Sequence, residues 1–279
     1  MMTSSLVDSI RLWVPELILS VGGMLVILLG AGERQLRLAT WASAVTLVCA
    51  GGVLVMAQAL PPQEAFFGLI AVDGLAQAFR WFAFGVIALV SLMTIGAHDV
   101  EEAWRGECLG LFLFVGVGLM LMAQAQHLLM AYLAIELVSL SSYVLAGLTR
   151  DARASEAALK YVLFGALSSG LMLFGMSLLF GLTGQASFAG IAQALSAMGP
   201  EAEPAVMMAM VLVLVGLAFK ISMAPFHMWT PDVYEGAPVA VAAMLSVGPK
   251  AAGLALLVRF SQALGPAWDP LVPLLSVLT

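Results

Sequence analysis

The sequence predicts an all-α polytopic membrane helix bundle with a proline-broken helix, and three observations carry that expectation. Hydrophobic residues make up 62% of the 279-residue chain and charged residues 10%, with a mean hydropathy of +1.04. Soluble domains carry about 25% charged residues. Eight apolar runs are long enough to cross a bilayer, each span needing about 20 residues. Pro225, Pro231 and Pro238 punctuate the seventh run. Each lacks an amide proton, and in lipid such a break survives only where protein or a water-filled cavity satisfies the backbone.

In chain order, the first run covers residues 12–31. It follows Arg11 and ends on the small Ala31 and Gly32, as a secretory signal would, but its length and the spans behind it read as an uncleaved first helix. Runs at 38–60 and 75–97 complete an N-terminal three-helix region, residues 1–104. Runs at 108–126, 127–148, 155–182, 204–222 with a broken continuation to about 236, and 239–263 form a five-helix unit, residues 105–264, broken near 222–237. Leu271 to Thr279 would rise only about 14 Å as a helix, too little to cross. Residues 265–279 then either cap the surface or, the reading preferred, start a further, truncated helix, with the sequence part of a longer protein.

Basic residues orient the spans. With the N-terminus outside, Arg34, Arg37, Arg105, Arg150 and Arg153 fall in inner loops, against Arg11 and Arg259 outside and Arg80 just inside an outer helix end. The net charge of −6 comes from loop acids such as Asp99, Glu101, Glu102, Glu107, Glu201 and Glu203, read as solvated faces. Cys49 and Cys108 lie in or beside separate spans with no CxxC or Cys/His spacing, and no P-loop, Gly-rich nucleotide loop or HExxH motif is present. These features exclude cofactor, metal and nucleotide chemistry within this chain, and nothing points to nucleic acid. The 17 methionines read as core filler.

Glu136, Lys160, Lys220 and Lys250 lie inside apolar runs of a chain that otherwise keeps its charges in loops. A charge at mid-bilayer costs roughly 2.5–3.5 kcal/mol on insertion scales, so such groups mark ion or proton paths. Glu136 sits near the middle of the fifth span, with Ser139 at i+3 on its face and Ser141, Ser142 and Tyr143 close by. Lys160, one or two turns inside the sixth span, has two candidate partners: Glu156 four residues earlier and Glu136 on the antiparallel neighbour. At about 4 Å and an effective dielectric near 20, the second pair would interact by about 4 kcal/mol, so a small movement would suffice to hand over a proton. Gly165, Gly170, Gly175 and Gly181 in that span permit close helix packing.

Pro225 deprives the Ile221 carbonyl of its donor beside Lys220, and Pro249 does the same for Leu245 beside Lys250. Freed carbonyls next to lysines can hold water, as at the discontinuous helices of transporters. His227, among Phe226, Met228 and Trp229, is either a proton carrier or an interfacial packing residue, whereas His127 at a span end is interfacial. Asp232 and Glu235 form a cavity mouth or are ordinary loop acids. A competing reading makes every buried charge a lock on helix packing.

The stretch from Leu133 to Gly184, containing SEAALKY, and the following PFHMWTPDVYEGAP resemble the core of the antiporter-like proton-translocating subunits, most of all the subunit N family of bacterial NADH-quinone oxidoreductase, respiratory complex I. The resemblance covers about residues 105–260. It implies three peripheral N-terminal helices followed by two inverted five-helix repeats, each with a broken helix and a lysine path, of which this sequence holds the first. It implies Glu136 and Lys160 as an interacting pair, Lys220 as the central lysine and Lys250 as the next in the chain. It further implies proton conduction coupled to quinone reduction, with NADH, FMN, iron–sulfur clusters and quinone held by other subunits. Implied partners are the other membrane subunits, including the other antiporter-like ones, in a bacterial inner membrane with the N-terminus periplasmic. Subunits of cation/proton antiporters and membrane-bound hydrogenases share these motifs.

Overall fold

The computed structural model describes residues 6–31, 36–58, 60–96, 99–149 and 151–265, with residues 269, 271 and 276. Gly32, Arg34, Arg150 and most of the segment from 266 to 279 lie outside the described residues, and with them the expectation of a truncated final helix. Within the described residues, seven helices are long and apolar enough to cross a membrane, or eight, the number of apolar runs, if one bent pair is a single span.

The bent pair is α1 (Leu6–Leu12) and α2 (Val14–Gly30), meeting at 69° around Trp13. Pro15 accounts for the restart, since a residue without an amide proton fits the first turn of a new helix. After α3 (Leu36–Ala57) comes a feature the sequence reading lacked, an antiparallel hairpin of β1 (Gln63–Ala65) and β2 (Ile70–Val72), with Gln63 opposite Val72. Ser9 of α1 accepts the Phe66 amide at 3.0 Å, and Ile70 bridges to Ala125, so the hairpin ties α1 to the bundle interior.

Then follow α4 (Gly74–Gly96) and, after one 3-10 turn, α5 (Arg105–Gln124). Helix α5 is buried on nearly every side, as an all-round apolar helix must be. Gly30 and Gly106 let α2 and α5 approach closely, for a Cβ on Gly30 would stand 2.7 Å from the Gly106 Cα. The chain continues through α6 (Leu128–Ala146), α7 (Ala152–Thr183), the short α8 (Phe188–Ser196), α9 (Glu203–Ile221), α10 (Thr230–Gly236) and α11 (Val239–Leu264), and α5 is packed by α2, α3, α4, α6 and α11. Asp151 caps α7 by accepting the Ala154 amide at 2.8 Å, and Gly184 ends it in the left-handed region at φ 64°. Helix α7 lies along α9, and α11 packs against α4, α5 and α9.

Two expectations need correction. Charges are not confined to loops, because Glu16, Arg80 and Arg259 are also buried. Helix α11 runs through Pro249 unbroken, in line with the single run at 239–263, so of the two lysine-bearing helices only α9 ends in a break. Of the four glycines assigned to packing, Gly165 faces Tyr143 and Gly175 faces α9, whereas Gly170 and Gly181 face open space.

Candidate functional site

The site forms where α9 stops. Ser222 takes the left-handed conformation (φ 57°), and the amides of Ser222 and Met223 bond Phe219 at 3.1 Å and Ala218 at 2.8 Å, satisfying carbonyls of the helix end. The chain then turns, through a cis Ala224–Pro225 bond, into α10. Lys220, in the last turn of α9, is 2% exposed. Gly253 of α11 makes its room: a Cβ there would lie 2.6 Å from Ile221 Cγ2 and 3.6 Å from Lys220 Cγ.

The Lys220 ammonium donates to Ser139 Oγ of α6 at 3.0 Å, and that hydroxyl donates in turn to the Ile135 carbonyl at 2.8 Å. Glu136, one turn earlier on the same helix, accepts from Ser169 of α7 and interacts electrostatically with Lys220. The carboxylate, the hydroxyl and the amine thus line one interface between α6, α7 and α9. Tyr161 and Trp229 stack at 4.4 Å and 13° beside it, with Tyr143 edge-on to Tyr161 at 4.8 Å. Lys250 Nζ lies 5.4 Å from the Tyr234 ring centroid, a cation–π distance, and Tyr234 meets Trp229 edge-on at 6.3 Å.

Four buried polar atoms at the break, Ser222 Oγ, Thr230 Oγ1, Trp229 Nε1 and the Tyr234 hydroxyl, have no partner within the described residues. Buried polar groups are almost always satisfied, so a stretch this polar calls for bound water. An amine, hydroxyls and water in one file can exchange protons.

Where α7 meets α10, Lys160 Nζ bonds Glu156 Oε1 at 2.7 Å and Asp232 Oδ2 at 2.8 Å, and Arg153 faces Glu235 at 3.6 Å. These side chains line a charged crevice of about 160 Å³. The expected Glu136–Lys160 pair is therefore not formed. Helix α10 carries Asp232 to Lys160 across 72 residues of sequence, while Glu136 turns to Ser169 and towards Lys220. His227 is exposed on the connecting turn, where its carbonyl accepts the Thr230 amide at 2.9 Å.

Residues 125–279 match the family model described as NADH:quinone oxidoreductase/Mrp antiporter, TM. The chain belongs to this family. It is similar to NADH-quinone oxidoreductase subunit N 1 of Rhizobium meliloti (strain 1021), 40% identical over 284 residues that cover 99% of this chain and 58% of that protein. It is likewise similar to NADH-quinone oxidoreductase subunit N of Rhizorhabdus wittichii, 44% identical over 272 residues, 95% of this chain and 55% of that one. The chain thus spans a little over half the length of these relatives.

A chain of respiratory complex I from Thermus thermophilus with bound aureothin superposes with a TM-score of 0.72 at 36% identity, covering 88% of this chain and 52% of that one. A chain of the membrane-bound sulfane sulfur reductase, an archaeal respiratory membrane complex, gives 0.79 at 21% identity over 97% of this chain and 57% of that one, which shows a shared fold alone.

For this family member, two buried polar clusters escaped the sequence reading. Arg80 donates to Glu16 from Nε at 2.7 Å and from Nη2 at 3.0 Å, and Gln124 Nε2 donates to the same carboxylate at 2.6 Å. Arg259 holds Asp73 with two bonds of 2.9 and 2.8 Å and the Ala123 carbonyl with a third at 2.7 Å. Arg80 and Arg259 are therefore internal struts, not the free outer charges the orientation argument counted. Glu16 in an apolar run was the available signal. Among the described residues, no group of three His, Cys, Asp or Glu side chains could hold a metal.

Proposed function

We propose that this chain is part of a proton-conducting membrane subunit of an NADH:quinone oxidoreductase, passing protons through a buried lysine and glutamate relay coupled to quinone reduction elsewhere in the complex. The observation that carries the reading is Lys220, a buried amine at the end of a broken helix, hydrogen-bonded to Ser139 and in the field of Glu136. An amine fixed only as a packing lock gains nothing from a broken helix and partnerless hydroxyls around it. Family membership and the similarity to subunit N proteins support the same reading.

In this scheme Glu136, Lys220 and Lys250 form the relay, and the Lys160, Glu156 and Asp232 crevice is its charged mouth. His227 serves at the periphery, since it is exposed. Residues 1–104 form a peripheral unit and 105–264 one antiporter-like repeat. NADH, FMN, iron–sulfur clusters and quinone belong to other subunits, the partners are the other membrane subunits, including the other antiporter-like ones, and the location is a bacterial inner membrane with the N-terminus periplasmic.

The test is Lys220→Ala with Lys250→Ala in the assembled parent complex in membrane vesicles. Normal assembly with NADH-driven proton pumping reduced at least about fivefold is expected, a barrier change of about 1 kcal/mol. Intact pumping, or loss of the complex from the membrane, would overturn the reading in favour of a packing role. The family description also includes Mrp antiporters. Transport by vesicles that requires sodium and ignores NADH would favour that class.

A further inference from the structure

Lys220 and Lys250 are neighbours whose amines turn to different helices. A Cβ on Gly253, one turn beyond Lys250 on α11, would lie 3.6 Å from Lys220 Cγ, so the stem of Lys220 passes beside that turn. Its ammonium then reaches Ser139 of α6 at 3.0 Å, whereas Lys250 Nζ lies 5.4 Å from the ring centroid of Tyr234 on α10. Among the described residues the Lys250 ammonium has no hydrogen bond or ion pair beside that ring contact.

A proton passing between two amines needs a lone pair to receive it on the way. The face of an aromatic ring attracts an ammonium but offers no such lone pair. The hydroxyl of a tyrosine does, and it gives up its own proton as it takes another. The Tyr234 hydroxyl is buried and has no partner within the described residues, which leaves both its proton and its lone pairs open to water. Thr230, one turn earlier on the same face of α10, and Ser222, two residues past Lys220, carry buried hydroxyls that are equally partnerless. These three groups follow one another along the chain from the Lys220 end of α9 to the ring that holds Lys250.

Helix α10 is also fixed in place. Gly236 packs so tightly on α7 that a Cβ there would stand 2.6 Å from Ala157 Cβ, and Asp232, roughly opposite Tyr234 around the helix, is bonded to Lys160 at 2.8 Å. Trp229 meets the Tyr234 ring edge-on at 6.3 Å.

We propose that the Tyr234 hydroxyl carries protons, through water, between Lys220 and Lys250. This rests on the relay of Glu136, Lys220 and Lys250 and supplies the link between its two lysines. The O–H bond breaks towards one amine as a new O–H bond forms from the side of the other, so the phenol ends neutral and the step balances in either direction.

The test measures NADH-driven proton pumping by the assembled parent complex in membrane vesicles. Tyr234→Phe keeps the ring, its face for Lys250 and its contact with Trp229, and removes the hydroxyl alone. Pumping per assembled complex is expected to fall at least about tenfold. Tyr234→His, whose imidazole both gives and takes a proton, is expected to recover to within about threefold of the unaltered protein. A ring that only packs predicts the opposite order, with phenylalanine near normal and histidine impaired. Normal pumping by the phenylalanine variant, histidine no better than phenylalanine, or loss of the phenylalanine variant's complex from the membrane overturns the proposal. The Lys220→Ala, Lys250→Ala double variant separates the two readings. If it pumps poorly while Tyr234→Phe pumps normally, the relay stands and Tyr234 leaves it; if both pump normally, the relay itself fails.

Discussion

Glu16 and Arg80 form a two-point ion pair whose side chains have no accessible surface, at 2.7 Å from Nε to Oε1 and 3.0 Å from Nη2 to Oε2. The pair joins α2 to α4, and Gln124 adds the end of α5 by bonding the same carboxylate. Removing one partner leaves the other charge in a dry interior. Arg80→Met is expected to destabilise the bundle by about 3–5 kcal/mol, and Glu16→Gln combined with Arg80→Met to recover a large part of that loss. Unfolding in mixed micelles measures both. A single-variant change below about 1 kcal/mol would show that water reaches the pair.

Ser139 accepts a hydrogen bond from the Lys220 ammonium and donates its own to the Ile135 carbonyl, so it sets where the amine points. Ser139→Ala removes that acceptor and is expected to lower proton transport at least about tenfold while leaving assembly intact, as the about 1.5–3 kcal/mol of a hydrogen bond to a charged group implies. Ser139→Thr keeps the hydroxyl and is expected to restore most of the rate. Equal transport by the alanine and threonine variants would remove Ser139 from the path.

Asp73 precedes α4 and grips Arg259 near the end of α11, and it also caps α4 by accepting the Ala76 amide at 2.9 Å. Burial works against its charge, but the Arg259 guanidinium and the Ala76 amide outweigh it and hold the carboxyl below its ordinary value of 3.8. A carboxyl depressed in the folded state contributes stability that is fully present above the unfolded value and is lost as pH falls through the folded one. Thermal stability is therefore expected to be insensitive to this site between about pH 7 and 5 and to decline below about pH 4. Asp73→Asn, which keeps the cap and loses the charge, is expected to lower stability at neutral pH and flatten the acid decline. A decline of the same steepness in the variant would assign it to other carboxyls.

Within the candidate site, legibility divided by the range of the interaction. Glu136, Lys220 and Lys250 stood out because a charge in an apolar run is visible without knowing its neighbours, and Ser139 was placed correctly because i and i+3 share a helix face. Of the two candidate partners of Lys160, the local one, Glu156, is bonded, whereas Glu136 is not: two antiparallel helices joined by a short loop suggest that second contact, and nothing local reveals that α10 delivers Asp232 instead. The α4 to α11 clamp was equally hidden, since Arg259 and Asp73 are 186 residues apart.

The sequence by itself determined that this is a bundle of membrane helices with one interruption after Lys220, because hydropathy and proline act through each residue's own chemistry and need no partner. Only the tertiary structure decided which buried charges pair with one another, which helix lies at the centre, and which glycines admit a neighbour. Those outcomes depend on the faces that distant helices turn towards each other, and nearly uniform apolar surfaces leave that choice to packing and to a few polar groups that must find partners out of water.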